Sequence, residues 1–245
     1  MQTEYTAWHS PSLGQNMEIK VYGHGGRDLL VFPTSGGRFF EYEDFGMIQA
    51  LSPFLEEGRL RLFAVDSVDR QSWLNGQAST LEKVARHEAY ERYVLEEVLP
   101  FIGSSPIEGK RVSVTGCSLG AYHAANIFFR HPGRFEAVIG LSGLYGLGFS
   151  LGEDLGDGAY FHSPLHYLPG LEDPWFLERY RESRIVLCAG QGAWEEESIR
   201  ETLEMKAILE NKAVPAWVDL WGTDVSHDWN WWQRQMPYFL GSLGY

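Results

Sequence analysis

A serine flanked by two glycines stands where a strand-like run of the sequence becomes a helix-like pattern. The segment VSVTGCSLGAYHAA covers residues 112–125, and Ser118 lies at the change, with Gly116 two residues before it and Gly120 two residues after it. A sharp strand-to-helix turn exposes a serine hydroxyl and admits only small residues at those two places. This context predicts that Ser118 is a nucleophile. The alternative is a tight packing turn whose serine faces solvent.

A serine hydroxyl attacks a carbonyl group only when a base accepts its proton. In folds with this type of turn, the base follows the last strand of the sheet. His227 is so placed, because it lies in WGTDVSHDWNWW, between the last strand-like run and the last helical pattern. We predict that His227 is the base; the alternative is a helix-capping or surface histidine. The other histidines lie in the helix after the serine, in an irregular stretch, or at surface and turn positions: His123, His162, His166, His9, His24, His87 and His131.

The acid that orients the base is expected after the sixth strand-like run, RIVLCAG. The residues that follow are QGAWEEESIRE, which place three carboxylates at the end of that strand. We favour Glu195 because it lies nearest the strand, whereas Glu196 and Glu197 are typical acids of a first helical turn, where they complement the helix dipole. That helical role stays open for all three residues, and Asp224 is a further candidate.

Acyl transfer also needs two backbone N–H groups that stabilise negative charge on the carbonyl oxygen. One is expected from Leu119, the residue after the serine. The second is expected from the loop after DLLVFPT, where TSGGRFF contains small residues that let the backbone approach a substrate. We predict Ser35 or Gly36 as this second donor. The alternative is a Gly-Gly turn without a chemical role.

Short β-rich runs alternate with helical patterns along the chain and would position these residues. Several runs are apolar on both faces, which favours a mostly parallel central sheet with helices on both of its faces. We predict one α/β domain over residues 1–245, with the first run paired as an antiparallel edge hairpin. Longer helical patterns cover 81–102, 198–212 and 229–243. The strand-like runs are MEIKVYG, DLLVFPT, RLFAVD, VSVTGC, AVIGLSG, RIVLCAG and AWVDLWG.

An irregular stretch at 145–183 interrupts this alternation with many Gly, Pro and aromatic residues. Ligands of parallel sheets bind beyond the carboxyl ends of the strands, so we expect this insertion to cover a pocket there. The segment DSVDRQSWLNG follows the third sheet run, and we predict that Trp73 or Asn75 forms one wall of the site. Aromatic residues of the insertion are candidates for the opposite wall: Phe149, Tyr160, Phe161, Tyr167 and Trp175.

The charge balance of the chain argues against several classes of partner. Its 245 residues carry 20 Lys and Arg against 33 Asp and Glu, so the net charge of −13 repels nucleic acid and anionic membrane surfaces. No apolar stretch is long enough for a membrane span, and the N-terminus shows no export signal. Cys117 and Cys188 do not form a disulfide framework, which favours a reduced, cytoplasmic protein. Since metal-ligand spacings, phosphate loops and dinucleotide motifs are missing, we predict no cofactor and no metal.

With these motifs in view, the sequence resembles the putative-esterase family of α/β-hydrolases, which includes S-formylglutathione hydrolases, feruloyl and enterochelin esterases and mycobacterial mycolyltransferases. Four segments carry the resemblance: HSPSLGQNMEIKVYG, DLLVFPTSGG, GCSLGAYHAANIFFRHPGRFEAVIGLSG and SHDWNWWQRQMPYFL. The resemblance implies the α/β-hydrolase fold, a triad of Ser118, His227 and Glu195 or a neighbour, and oxyanion donors at Leu119 and Gly36. Two segments depart from the family, because GQGAWEEE replaces the usual acid motif and PTSGG replaces the usual His-Gly or Asp-Gly.

The predicted function is hydrolysis of a small-molecule carboxylic ester or thioester through an acyl-enzyme on Ser118. Transfer of the acyl group to an alcohol or a sugar is one alternative, and it would use the same residues. A binding module that keeps the fold without activity is another. The presence of both Ser118 and His227 favours an enzyme over such a module.

Overall fold

Eight strands of the described residues form one sheet in the computed structural model of the chain. The structure describes residues 1–103, 111–152, 155–156 and 158–245, so positions 153, 154 and 157 of the expected insertion lie outside the described residues. The strands are β1 Thr3–Ser10, β2 Gln15–Tyr22, β3 Arg27–Phe32, β4 Leu60–Val65, β5 Val112–Cys117, β6 Phe135–Leu141, β7 Arg184–Ala189 and β8 Trp217–Leu220. Their order across the sheet is β1-β2-β4-β3-β5-β6-β7-β8.

The sheet is antiparallel at one edge and parallel elsewhere. β1 and β2 form an antiparallel hairpin, and β2 pairs antiparallel with β4. From β4 onward, every neighbouring pair of strands is parallel. The mostly parallel sheet and the edge hairpin that the sequence predicts are therefore confirmed. Because parallel strands end at one edge of a sheet, the segments that follow β3, β5, β6, β7 and β8 meet there.

Helices connect the strands and cover the sheet. Among the described residues, no helix combines the length and the hydropathy that a membrane crossing requires. The helices are α1 Glu41–Asp44, α2 Met47–Ala50, α3 Ser52–Glu56, α4 Thr80–Tyr93, α5 Leu99–Gly103, α6 Leu119–Arg130, α7 Gly148–Leu151, α8 Pro164–Tyr167, α9 Pro174–Glu182, α10 Glu196–Asn211 and α11 Trp229–Ser242. A π-helical turn, Val94–Val98, joins α4 to α5, and 3₁₀ turns lie at Asp69–Gln71, Tyr160–His162 and Leu168–Gly170.

Alternate residues of the central strand β3 enter two separate cores. Leu30 and Phe32 belong to a core with residues of α4, α6 and α10, whereas Leu29 and Val31 belong to a core with residues of α2, α3 and α11. Burial of apolar surface on both faces stabilises such a strand. This arrangement explains why the strand forms a continuous apolar run in the sequence, and it confirms the helices predicted on both faces.

The segment between β6 and β7 forms short helices instead of one long element. Leu165, Tyr167 and Tyr180 of this segment belong to the core that also contains residues of α6. The segment therefore packs on the α6 side of the sheet, and this position decides which cavity it can reach.

Candidate active site

Ser118 lies between β5 and α6 in a backbone conformation that few residues adopt. Its φ is 55° and its ψ is −123°, and backbone strain of this kind clusters at active sites. A Cβ on Gly116 would lie 2.2 Å from the carbonyl carbon of Gly120, and one on Gly120 would lie 2.4 Å from the carbonyl oxygen of Phe32. Both glycines are therefore required for the close approach of α6 to the strands, which makes the turn sharp.

His227 reaches Ser118 from the loop before α11. Its Nε2 lies 2.9 Å from Ser118 Oγ, which is hydrogen-bond distance. The N–H of His227 donates to the carbonyl oxygen of Ala193 at 3.0 Å, and the imidazole ring packs edge-on against Trp232. The loop and the ring are thus both held in a position where the imidazole can accept the serine proton.

Glu195 faces the second nitrogen of the His227 ring. Its Oε2 lies 3.6 Å from His227 Nδ1, the carboxylate is fully buried, and neither atom has a hydrogen-bond partner among the described residues. Since unpaired buried polar atoms are costly, a small rotation of the ring that closes this gap is favourable. Glu196 and Glu197 are exposed in the first turn of α10, and Asp224 is exposed as well.

Ser142 holds the other oxygen of the Glu195 carboxylate. Its Oγ donates to Glu195 Oε1 and accepts from Trp232 Nε1 at 2.9 Å. Ser142 directly follows β6 with a φ of 49°, a value that is strained for serine. Local sequence rules did not identify this residue. The available signal was a small polar residue at the end of AVIGLSG, at the carboxyl edge of the sheet.

The loop after β3 forms a tight turn that begins at Thr34. The N–H of Gly37 donates to the carbonyl oxygen of Thr34 at 2.9 Å, and Gly36 at the third position has a φ of 64°, as a type II turn requires. Glu41 accepts from the N–H and the hydroxyl of Thr34. Asp69 accepts from the N–H of Gly36 at 3.0 Å. Three of the four N–H groups of this turn therefore have acceptors.

The remaining N–H group of the turn belongs to Ser35. It makes no hydrogen bond to any described residue, and the same holds for the N–H of Leu119 at the start of α6. Ser35 also lines the cavity that contains Ser118. The structure corrects the choice of Gly36 as a donor, because the buried Asp69 carboxylate already occupies its N–H.

Ser118 and His227 open into a cavity of about 780 Å³. Phe45 and Trp229 form an apolar wall, since their rings stack 4.9 Å apart with an interplanar angle of 5°. An apolar wall with a few polar groups is typical of sites for small organic molecules. The other lining residues come from the loop after β3, the α1–α2 connection and the start of α11: Thr34, Ser35, Asp44, Gly46, Asp228, Asn230, Trp232 and Gln233.

Comparison with known proteins assigns the family. The family described as "Putative esterase" matches residues 10–243 of the chain. The chain belongs to this esterase family. It is a carboxylic ester hydrolase with the α/β-hydrolase fold. A comparison of the esterase with curated proteins yields no sequence match.

Solved structures similar to the esterase share its fold at low sequence identity. A ferulic acid esterase superposes with a TM-score of 0.76 at 18% identity, over 98% of this chain and 95% of that chain. S-formylglutathione hydrolase from Staphylococcus aureus superposes with a TM-score of 0.70 at 16% identity, over 99% of both chains. MPT51 from Mycobacterium tuberculosis superposes with a TM-score of 0.75 at 13% identity, over 99% of this chain and 97% of that chain.

Neither Trp73 nor Asn75 lines the cavity of the esterase, contrary to the prediction. Trp73 is 1% exposed and belongs to a small core with Leu119 and Tyr122. Asn75 accepts from the N–H of Gln77 within its own loop. The segment after β4 turns toward α4 and α6, so the Trp73 side chain is buried against α6 and does not face the cavity at Ser118.

The aromatic residues of the insertion also lie elsewhere. Tyr160, Phe161 and Tyr167 line a separate cavity of about 540 Å³ near the end of α6. Phe149 and Trp175 line neither this cavity nor the one at Ser118. Contrary to the expectation, no described residue of the insertion lines the cavity at Ser118, because the described part of the insertion packs on the α6 side, whereas the site opens toward α11.

One cluster within the described part of the chain has a spacing compatible with a metal ion: His87, Glu91 and His162. The Glu91 carboxylate already accepts from Arg130 and His131. Burial raises the pKa of Glu91, but the hydrogen bonds from His131 and Arg130 outweigh it and lower the pKa to about 2. A guanidinium in contact with the carboxylate repels a cation, so these residues are poorly suited to a metal.

Proposed function

We propose that Ser118 is the nucleophile of a serine esterase and that His227 and Glu195 complete its catalytic triad. The observation that carries the proposal is the 2.9 Å contact between His227 Nε2 and Ser118 Oγ at a strained strand-to-helix turn. In this contact the hydroxyl can pass its proton to the imidazole as its oxygen attacks a carbonyl carbon.

Acylation and deacylation use the same groups. Ser118 Oγ bonds to the ester carbonyl carbon, its proton passes to His227 Nε2, and the N–H groups of Ser35 and Leu119 stabilise the oxyanion. The tetrahedral intermediate expels the alcohol, which takes the proton from His227 and leaves an acyl-enzyme. Water then attacks with the same proton transfers and releases the acid. Glu195 stabilises the imidazolium that forms in each step.

The cavity favours a substrate without a large anionic group. Apart from His227, the ionisable side chains among its described lining residues are those of Asp44 and Asp228. Both carboxylates are negative, and the net charge of −13 adds to the repulsion of anions. The stacked rings of Phe45 and Trp229 offer an apolar surface for the organic part of the substrate. These features support a neutral carboxylic ester or thioester.

Water is the proposed acceptor of the acyl group. Ser118 is half-buried and the His227 side chain is 22% exposed, so solvent reaches the position of the acyl-enzyme. Transfer to an alcohol or a sugar would use the same residues. Product analysis with an added alcohol separates the two reactions, because hydrolysis yields the free acid and transfer yields a new ester.

Labelling with a fluorophosphonate tests the proposal, because this probe reacts with activated serine hydroxyls. We expect stoichiometric modification of the wild type, located at Ser118 by mass spectrometry, and no modification of Ser118→Ala. Ser226→Ala removes the hydroxyl next to His227 and is the matched control, which should be labelled like the wild type. A folded wild type that is neither labelled nor active on a panel of esters would contradict the proposal and favour a binding module.

A further inference from the structure

Asp69 is a buried carboxylate whose two oxygens contact two different parts of the site. It lies in the 3₁₀ turn after β4, and its side chain is 0% exposed. Oδ2 accepts from the N–H of Gly36 at 3.0 Å, and Oδ1 accepts from Nε2 of His123 at 2.7 Å. Burial of a carboxylate is tolerated when hydrogen bonds offset its desolvation, and both oxygens are occupied here.

The two partners belong to the segments that carry the proposed oxyanion donors. Gly36 follows Ser35 in the turn after β3, and His123 lies one turn into α6, which begins at Leu119. The ring of His123 packs against Phe32 with centroids 5.9 Å apart, so the imidazole has little freedom to move. The Asp69 side chain therefore bridges the turn after β3 and α6.

We infer that Asp69 is a positioning residue that fixes the separation between the N–H groups of Ser35 and Leu119. The inference rests on the proposed function, in which these two groups bind the oxyanion. Preorganised donors stabilise a transition state because they need no rearrangement as the charge develops. Asp69 does not line the cavity and acts through Gly36 and His123.

The turn depends on Asp69 because no other side chain among the described residues forms a hydrogen bond with its central peptide, between Ser35 and Gly36. Glu41 holds Thr34 at the start of the turn, and the Ser67 hydroxyl donates to the carbonyl oxygen of Gly37 at its end. Gly36 between them has a φ of 64° and no side chain to pack. Without Asp69, the peptide between Ser35 and Gly36 can rotate between the type I and type II arrangements. Ser35 is then no longer held from its C-terminal side, so the position of its N–H, which belongs to the Thr34–Ser35 peptide, depends on the anchor at Thr34 alone.

Substitutions at both ends of the bridge test this inference. Asp69→Ala removes both acceptors, and His123→Phe keeps a ring in the same packing while it removes the bond from α6. We expect kcat to fall by about 10- to 100-fold in each variant with KM within about threefold, because the donors act on the transition state. Asp69→Asn should recover most of kcat, since its amide can accept from Gly36 and donate to the other tautomer of His123.

Asp28→Ala is the matched control for the loss of a buried carboxylate. Asp28 is 5% exposed and accepts from Arg61 near the start of β3, at the end opposite to the turn. We expect this variant to lose stability with an unchanged kcat. The comparison separates an effect on the oxyanion site from a general loss of stability.

Amide hydrogen exchange of the peptide that covers residues 33–41 provides a readout independent of turnover. Exchange should be faster in Asp69→Ala than in the wild type and unchanged in Asp28→Ala. The inference is overturned if kcat stays within about threefold of the wild type in Asp69→Ala and His123→Phe, if the loss appears only in KM, or if Asp69→Asn recovers nothing. If Asp69→Ala does not fold, the kcat of His123→Phe decides whether the inference holds.

The failure of the proposed function would be distinguishable from the failure of this inference. If the proposed function fails, the wild type will neither turn over esters nor be labelled at Ser118. Hydrogen exchange at 33–41 would still decide whether Asp69 holds the turn.

Discussion

His227 Nε2 lies 2.9 Å from Ser118 Oγ, although 109 positions separate the two residues in the sequence. On the other side of the ring, Nδ1 faces Glu195 Oε2 at 3.6 Å. The three side chains follow β5, β7 and β8, whose carboxyl ends the parallel sheet places at one edge. Activity should therefore depend on a carboxylate on the side of the ring that faces away from the serine.

Glu195→Gln keeps the size of the side chain and removes its charge. We expect kcat to fall by about 10³- to 10⁴-fold, because an amide does not stabilise the imidazolium or the correct tautomer as a carboxylate does. Glu196→Gln and Glu197→Gln are matched controls on the exposed first turn of α10 and should keep the wild-type kcat. Steady-state kinetics on a chromogenic ester measures the effect. A loss in Glu196→Gln with none in Glu195→Gln would reassign the acid.

Ser142→Ala removes the hydroxyl that joins Glu195 to Trp232. A hydrogen bond to a charged group contributes about 1.5–3 kcal/mol, so we expect kcat to fall by about tenfold or more as the carboxylate loses its position. Ser183→Ala is the control, because this buried hydroxyl donates to the carbonyl oxygen of Arg179 and does not line the cavity. An unchanged kcat in Ser142→Ala would show that Glu195 is held without this serine.

Gly120→Ala places a methyl group against the backbone of β3. The new Cβ would lie 2.4 Å from the carbonyl oxygen of Phe32, so α6 must move away from the strand. We expect the free energy of unfolding to fall by at least about 2 kcal/mol, as measured by urea denaturation. Gly148→Ala is the control, because a Cβ there has no heavy atom within 4 Å. Equal urea midpoints for the two variants would contradict this account of the turn.

The cavity should discriminate between substrates by charge. Asp44 and Asp228 line it, and no Lys or Arg is among its described lining residues. A nearby carboxylate repels an anion by about 1 kcal/mol, so Asp44→Asn should reduce the preference for a neutral over an anionic ester by about fivefold in kcat/KM. Glu4→Gln, on the edge strand β1, is the control. If neither Asp44→Asn nor added salt changes the preference for a neutral ester, this preference does not have an electrostatic origin.

Acid should lower stability through two buried histidines. His87, placed by sequence at a surface or turn position, is instead 3% exposed. Burial, with the neighbouring His162 and His123, lowers the pKa of His87 well below 6.5. Burial, with the charge of Arg130, lowers the pKa of His162 to about 4. The unfolded chain therefore binds protons that the folded chain does not, and stability that is present above about pH 6.5 is lost as the pH falls toward 4.

Urea denaturation between about pH 7 and pH 5 measures this loss. Each histidine should contribute a slope that approaches about 1.4 kcal/mol per pH unit. His162→Asn removes one titrating group and should reduce the slope, whereas His9→Asn at an exposed position of β1 should leave it unchanged. An unaltered slope in His162→Asn would show that His162 does not couple folding to pH.

The three residues of the proposed triad differ in how far the sequence alone could identify them. Ser118 and His227 could be selected from sequence because the glycine spacing and the position after the last strand are local features. Glu195 could be preferred but not separated from its neighbours. Its burial depends on where α10 begins, and since the helix starts at Glu196, Glu195 remains outside the first turn and packs beneath His227.

The sequence by itself determined the alternation of the strands with the longer helices, the sharp turn at Ser118 and the position of His227 after the last strand, because hydrophobic periodicity and turn chemistry are local. Tertiary structure alone decided which N–H of the turn stays free, since Gly36 is engaged by Asp69, 33 positions away. It also decided that Phe45 and Trp229, and not Trp73, wall the cavity. An apolar pattern in the sequence predicts that a residue is buried. What the residue packs against depends on which face of the sheet its connecting segment crosses, and only the tertiary structure shows this.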